Sequence, residues 1–284
     1  MPGEGESGAW RENVSMALIH VNVYSAAMHA NNGVQVILPT PRVRRAGKEG
    51  FTGYDTPRRF PVLYLLHGTY GDETDYLRFS RIESYAQQYD LAVVMPDAGN
   101  SCYRNVPRTG AEYWNFVTDE LLKMMRWMFP ISDKPEETFL CGLSMGANGA
   151  FKIGMSNPGN YGAIACMSAK CSGWQEAADR DDTVWSSAFL PGENLTGSEE
   201  DLYFLAKQAA AAGGVLPTLY LCVGQQDGFY QENKEFVSYL NALGISHVFH
   251  EQPGGHDWDF WDDELRRILA WLPVERRDPK KRWF

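Results

Sequence analysis

The chain has 284 residues, 44% hydrophobic and 22% charged, with 5 cysteines and a formal net charge of −10. That composition excludes a disordered or fibrous chain and fits a soluble globular protein with a sizeable core. The acidic balance excludes general affinity for nucleic acid or anionic lipid, so neither is an expected partner.

The chain opens Met1-Pro2-Gly3-Glu4, with neither a basic start nor an apolar stretch, so no signal peptide is expected. Residues 1–12 read as a loose, polar terminus, residues 13–275 as one α/β domain, and residues 276–284 as a basic tail. Two strands are expected first, Ala17–Tyr24 and Val34–Leu38, separated by a turn at Asn31-Asn32-Gly33. Residues 41–59 are charged, contain Gly and Pro, and read as an exposed loop.

Apolar runs then alternate with segments of helical period, which indicates βαβ units and a mostly parallel sheet with helices on both faces. The runs are Pro61–His67, Leu91–Met95, Thr138–Leu143, Ala163–Met167, Thr218–Val223 and His247–Glu251. The first five are nearly continuous in hydrophobicity, as in strands buried on both sides. Helical stripes run through Tyr113, Val117, Leu121, Met124 and Met128, through Phe236, Leu240 and Leu243, and through Trp261, Leu265, Ile268 and Leu272. Residues 170–200 break the alternation and read either as a lid or binding insertion or as a surface excursion.

The cysteines, Cys102, Cys141, Cys166, Cys171 and Cys222, are odd in number and lack CxxC spacing. Three lie in apolar runs, where a thiol acts as a small hydrophobe, so a reducing compartment and a cytoplasmic location are expected. No run approaches the ~18 apolar residues of a membrane span.

Gly142-Leu143-Ser144-Met145-Gly146 matches G-x-S-x-G, after an apolar strand and before a small-residue helix. A sharp strand-to-helix turn of this kind needs small neighbours and presents its serine on strained backbone beside a helix N-terminus. A serine hydroxyl is a weak nucleophile until an imidazole takes its proton. Of six histidines, His256 follows a strand and the turn Pro253-Gly254-Gly255, at the strand ends where open α/β sheets bind ligands. His250-Glu251 with His256 superficially suggests a zinc motif, but the spacing is wrong and Pro253-Gly254-Gly255 opposes the helix it needs.

A carboxylate between them in chain order should orient His256. Asp227, directly after the run Thr218–Val223, is favoured over Glu232, Glu235 and Asp257. Oxyanion donors are expected at the backbone N–H of Met145, after the nucleophile, and of Thr69, in the loop His67-Gly68-Thr69-Tyr70-Gly71-Asp72. His67 itself should brace that loop. Tyr70, Trp174, Trp185 and Trp258 are the candidates for substrate contact.

Leu65-Leu66-His67-Gly68 with Gly71-Asp72, the Ser144 elbow, and Gly255-His256-Asp257-Trp258 with Trp261 together resemble the tributyrin-esterase and esterase-D-like branch of the α/β hydrolases. The similarity runs from about Ala17 to Leu272. It implies a Ser144–Asp227–His256 triad, no cofactor or metal, and hydrolysis of short-chain acyl esters, with acetylated or feruloylated carbohydrates and S-formylglutathione among relatives' substrates. Ala147 and Gln225-Gln226 depart from the family's usual Gly and Thr-Glu, which bears on substrate preference. A thioesterase or acyltransferase uses the same acyl-enzyme. A catalytically silent binding module would have lost a triad member, and none is missing. Homo-oligomerisation is left open.

Overall fold

The computed structural model describes residues 16–40, 58–180 and 184–276. The expected loose terminus, nearly all of the 41–59 loop and nearly all of the basic tail lie outside the described residues.

Eight strands form one sheet: β1 (Met16–Ser25), β2 (Ala30–Pro39), β3 (Val62–Leu66), β4 (Ala92–Pro96), β5 (Thr138–Leu143), β6 (Ala163–Met167), β7 (Thr218–Gly224) and β8 (Val248–Gln252). Their order is β1-β2-β4-β3-β5-β6-β7-β8. The β1–β2 and β2–β4 pairs are antiparallel, and all later pairs are parallel. The five strands β3 to β7 are almost wholly buried, so their side chains are apolar on both faces.

Helices cover both faces. One core cluster joins Tyr64, Val94 and Leu140 to Phe151 and Ile153 of α4 (Met145–Ser156) and to Phe236 of α7 (Tyr230–Ala242). The other joins Leu63, Val93 and Cys141 to α2 (Ile82–Ala86) and to Leu265, Ile268 and Leu269 of α8 (Trp258–Trp271). The remaining helices are α1 (Asp75–Phe79), α3 (Leu121–Met128), α5 (Trp174–Asp179) and α6 (Leu202–Ala212). The Tyr113–Met128 stripe is helical but contains a π-helical stretch, Phe116–Glu120. Glu120, at its end, accepts hydrogen bonds from the Ala26 and Ala27 amides.

The first hairpin corrects the sequence reading. The turn lies at residues 26–29, not at Asn31–Gly33, which belong to β2. Ser25 pairs with Ala30, and His29 takes a left-handed backbone (φ 52°) within the turn. The Asn32 side-chain Nδ2 instead donates to Asp97 O at 3.0 Å, a tertiary demand that overrides local turn preference.

Register decides where function can reside. Leu66 pairs with Gly142, and Gly142 with Cys166, so β3, β5 and β6 end together. Gln252 pairs with Gly224 in the same way. The loops after these strands share one edge of the sheet, where a parallel sheet binds ligands.

The described residues of the 170–200 segment, 170–180 and 184–200, pack against the body of the protein. Trp174, Ala188, Phe189 and Leu195 are buried in the first core cluster. Arg104 donates to both oxygens of Glu193, at 2.5 and 3.1 Å. The fully buried Lys152 of α4 pairs with Glu200 at 2.6 Å and also donates to Cys102 O at 2.9 Å.

Candidate active site

A single residue separates β5 from α4, and it is Ser144, with φ 54° and ψ −116°. That conformation is strained for a residue with a side chain and persists only where its surroundings enforce it. They do so here. The Ser144 amide donates to Met167 O at 2.9 Å, and its carbonyl accepts from the Ala147 and Asn148 amides. A Cβ at Gly142 would lie 2.2 Å from Gly146 O, and one at Gly146 2.2 Å from Leu66 O. Both contacts are with backbone, so only glycine lets strand, turn and helix approach this closely.

Two loops bring the partners. The turns after β7 and β8 interlock: a Cβ at Gly224 would lie 2.2 Å from Gly254 O, and the Gln226 amide donates to that oxygen at 2.9 Å. The Gln226 side chain accepts from the Gly254 amide at 2.8 Å. Gln226, a departure from the family pattern, thus holds the His256 loop to the Asp227 loop. His256 Nε2 stands 3.0 Å from Ser144 Oγ, and Nδ1 stands 2.9 Å from Asp227 Oδ2. A proton on Nδ1 donated to Asp227 leaves Nε2 free to accept from the serine hydroxyl.

Asp227 is buried and its other oxygen accepts the Phe229 amide at 2.7 Å. Burial alone would raise its pKa, but hydrogen bonds from His256, the Phe229 amide and Ser168 outweigh it and hold the carboxyl below its ordinary range. The imidazole is set edge-on to Phe229 and Trp261, with ring centroids 4.9 and 4.8 Å away. Trp261 in turn donates to Ser168 Oγ at 3.1 Å.

The competing carboxylates are occupied elsewhere. Asp257 caps α8 by accepting the Phe260 amide, Glu232 accepts the Cys171 amide and the Ser172 hydroxyl, and Glu235 accepts from Gln231. His250 contacts the buried Glu264 at 2.8 Å. Among the described residues, no group of three or more His, Cys, Asp or Glu could hold a metal ion.

The loop after β3 runs directly against the elbow, and a Cβ at Gly68 would come within 3.5 Å of Ser144 Cβ. His67 is buried, its Nδ1 2.8 Å from Gly68 O and its Nε2 accepting the Ala98 amide at 2.9 Å, so the ring braces this loop. Neither the Thr69 nor the Met145 amide donates to another described residue. Tyr70 is 82% exposed with a left-handed backbone (φ 68°), its amide held by Asn100. Trp185 reaches the loop, donating its indole N–H to Thr69 Oγ1 at 2.9 Å, and it packs edge-on to Trp174 at 5.7 Å.

Trp258 is half-buried and has aromatic partners. Its ring packs on Tyr76, Phe79 and Trp261, within the cluster beneath α8. Residue 258 opens α8, and its ring reaches Tyr76 and Phe79 of α1. The sequence reading did not single out Ser168 or Phe229, and it took Gln226 as bearing on substrate preference, not as a link between the two loops. The only signal for them was position, since each sits in a turn just after a strand.

A model of the family Esterase, described as "Putative esterase", matches residues 25–272. An acetyl esterase of Caldicellulosiruptor saccharolyticus is 32% identical over 265 residues, spanning 90% of this chain and 98% of its own. The structure of fluorophosphonate-binding serine hydrolase F from Staphylococcus aureus superposes with a TM-score of 0.81 at 31% identity, covering 90% of this chain and 98% of that one. An S-formylglutathione hydrolase of the same organism gives 0.79 at 31% identity, with coverage of 91% and 99%. With the fold, the family match and these relatives in agreement, the chain belongs to the Esterase family and is a serine hydrolase of carboxylic esters built on the α/β-hydrolase fold.

Proposed function

We propose that Ser144 is the nucleophile, His256 the general base and acid, and Asp227 the carboxylate that orients it. The reading rests on the run Ser144 Oγ–His256 Nε2–His256 Nδ1–Asp227 Oδ2, with separations of 3.0 and 2.9 Å. Ser144 Oγ attacks the ester carbonyl carbon as its proton passes to His256 Nε2. The carbonyl oxygen becomes the oxyanion, which takes hydrogen bonds from the Thr69 and Met145 amides. Collapse breaks the bond to the leaving oxygen, which receives the proton from the imidazolium. A water then gives a proton to His256 and attacks the acyl-serine, the acid leaves, and Ser144 recovers its proton.

Short acyl chains are the preferred substrates in this reading, with acetyl esters, including those of carbohydrates, foremost because of the acetyl esterase relative. Residues 13–275 act as one catalytic domain, with Trp185 of the 170–200 segment beside the Thr69 loop. All five cysteines are free and buried, which supports a cytoplasmic location; among the described residues no helix is long and apolar enough to cross a membrane.

Ser144→Ala should abolish turnover of p-nitrophenyl acetate and labelling by a fluorophosphonate probe; retention of wild-type turnover overturns the assignment. The S. aureus S-formylglutathione hydrolase favours a second reading, a thioesterase, in which the leaving atom is sulfur. Comparing kcat/KM for S-formylglutathione and for acetyl esters separates the two.

A further inference from the structure

Lys170 lies two residues after Ser168, in the turn that leaves β6. Its carbonyl accepts from Asn148 of α4 at 3.0 Å, which fixes the backbone beside the elbow helix. The half-buried ammonium stands over three rings, 5.4 Å from Trp174, 5.7 Å from Trp185 and 5.4 Å from Phe229. Two of these rings touch the catalytic groups assigned above: Phe229 packs edge-on to His256, and Trp185 donates to Thr69.

Rings offer an ammonium their faces but cannot accept its three N–H groups as hydrogen-bond partners with full lone pairs. Lys170 Nζ has no hydrogen bond and no ion pair with any described residue. Its neighbour Lys152 contrasts, with a carboxylate and a carbonyl in contact. Glu232, on α7, is the carboxylate that feels the Lys170 charge, but its two oxygens are taken by the Cys171 amide and the Ser172 hydroxyl. A second unmet donor belongs to the same cluster: the buried Trp174 Nε1 has no acceptor among the described residues. Gly173 keeps the ammonium uncovered, since a Cβ there would lie 3.3 Å from Nζ.

We infer that Lys170 is a specificity-determining residue that recognises a carboxylate on the substrate, a few bonds from the scissile carbonyl. The inference rests on the Ser144 reading above and extends it from short acyl esters in general to acidic ones. The three rings lower the dielectric on one side of the ammonium and strengthen the contact, while the acidic remainder of the protein gives the site no general attraction for anions.

The test is a ratio. For monomethyl and dimethyl esters of succinate, glutarate and adipate, and for 4-acetoxybenzoate against its methyl ester, kcat/KM of the acidic ester is divided by that of its neutral partner. In the wild type, at least one chain length should show a preference that falls as NaCl rises from about 20 mM to about 0.5 M. Lys170→Met should lower that ratio about ten-fold and remove its salt dependence, while Lys170→Arg should retain both. Because partial misfolding scales both rates alike, the ratio stays interpretable. An unchanged ratio in Lys170→Met, or a wild-type ratio indifferent to salt at every chain length, overturns the inference while leaving Ser144-dependent hydrolysis intact. Hydrolysis that survives Ser144→Ala overturns the underlying reading instead.

Discussion

Trp185 donates its indole N–H to the hydroxyl of Thr69 at 2.9 Å, across 116 positions of sequence. The bond joins the 170–200 segment to the loop whose amide is assigned to the oxyanion. Trp185→Phe keeps a ring of similar shape and removes the donor. It should lower kcat on p-nitrophenyl acetate about three- to ten-fold, the equivalent of one ordinary hydrogen bond, with a smaller change in KM. An unaltered kcat would mean that Thr69 is positioned without Trp185.

Asp227→Asn should reduce kcat by about 10⁴-fold, because an amide facing Nδ1 no longer selects the tautomer that leaves Nε2 free. Folding should persist, since the shape is conserved, and near-ultraviolet circular dichroism would check that. A loss below ten-fold would assign the orienting role to another group.

The pH dependence of stability follows from the same carboxyl. Its folded pKa lies below the ordinary carboxylate value, through hydrogen bonds that outweigh burial. Its contribution is therefore complete above the unfolded pKa of about 4 and is lost as pH falls through the lower folded value. The Tm advantage of the wild type over Asp227→Asn should hold from about pH 7 to pH 5 and shrink toward about pH 2. A constant difference across that range would contradict the linkage.

Two glycine substitutions should separate sharply. Gly146→Ala places a Cβ 2.2 Å from Leu66 O and 2.5 Å from His67 O, and neither backbone atom can rotate away. It should cost about 1–3 kcal/mol of stability or more and most of the activity. Gly159→Ala meets nothing within 4 Å and should stay within about 0.5 kcal/mol of wild type. Urea unfolding measures both.

Glu200→Ala leaves Lys152 buried with the Cys102 carbonyl but no counter-charge. About 3–5 kcal/mol of destabilisation is expected, and Lys152→Met in the same chain should recover much of it. If the double variant is as unstable as the single one, the loss lies in packing and not in the orphaned charge.

The parts legible in the sequence were those decided by local chemistry. The runs of β3 to β7 are apolar because both faces of each strand are covered, and their bounds were readable to within about one residue. The Ser144 elbow was legible because close approach of strand and helix admits only glycine at Gly142 and Gly146. Preference failed where distant groups competed with it: Asn31-Asn32-Gly33 has turn chemistry, yet Asn32 serves Asp97 from within β2. The packing of the Trp258 ring on Tyr76 and Phe79 was likewise not legible, because it depends on how α8 meets α1.

By itself, the sequence determined the alternation of strands and helices, the strained turn at Ser144 and the chain order of serine, carboxylate and histidine, because steric demand and burial act between near neighbours. Only the tertiary structure decided that Gln226 would clasp the histidine loop, that Ser168 and Phe229 would hold Asp227, and that Lys170 would stand among three rings. Those contacts depend on which strand ends coincide at the sheet edge, and that is set by register between strands distant in the chain.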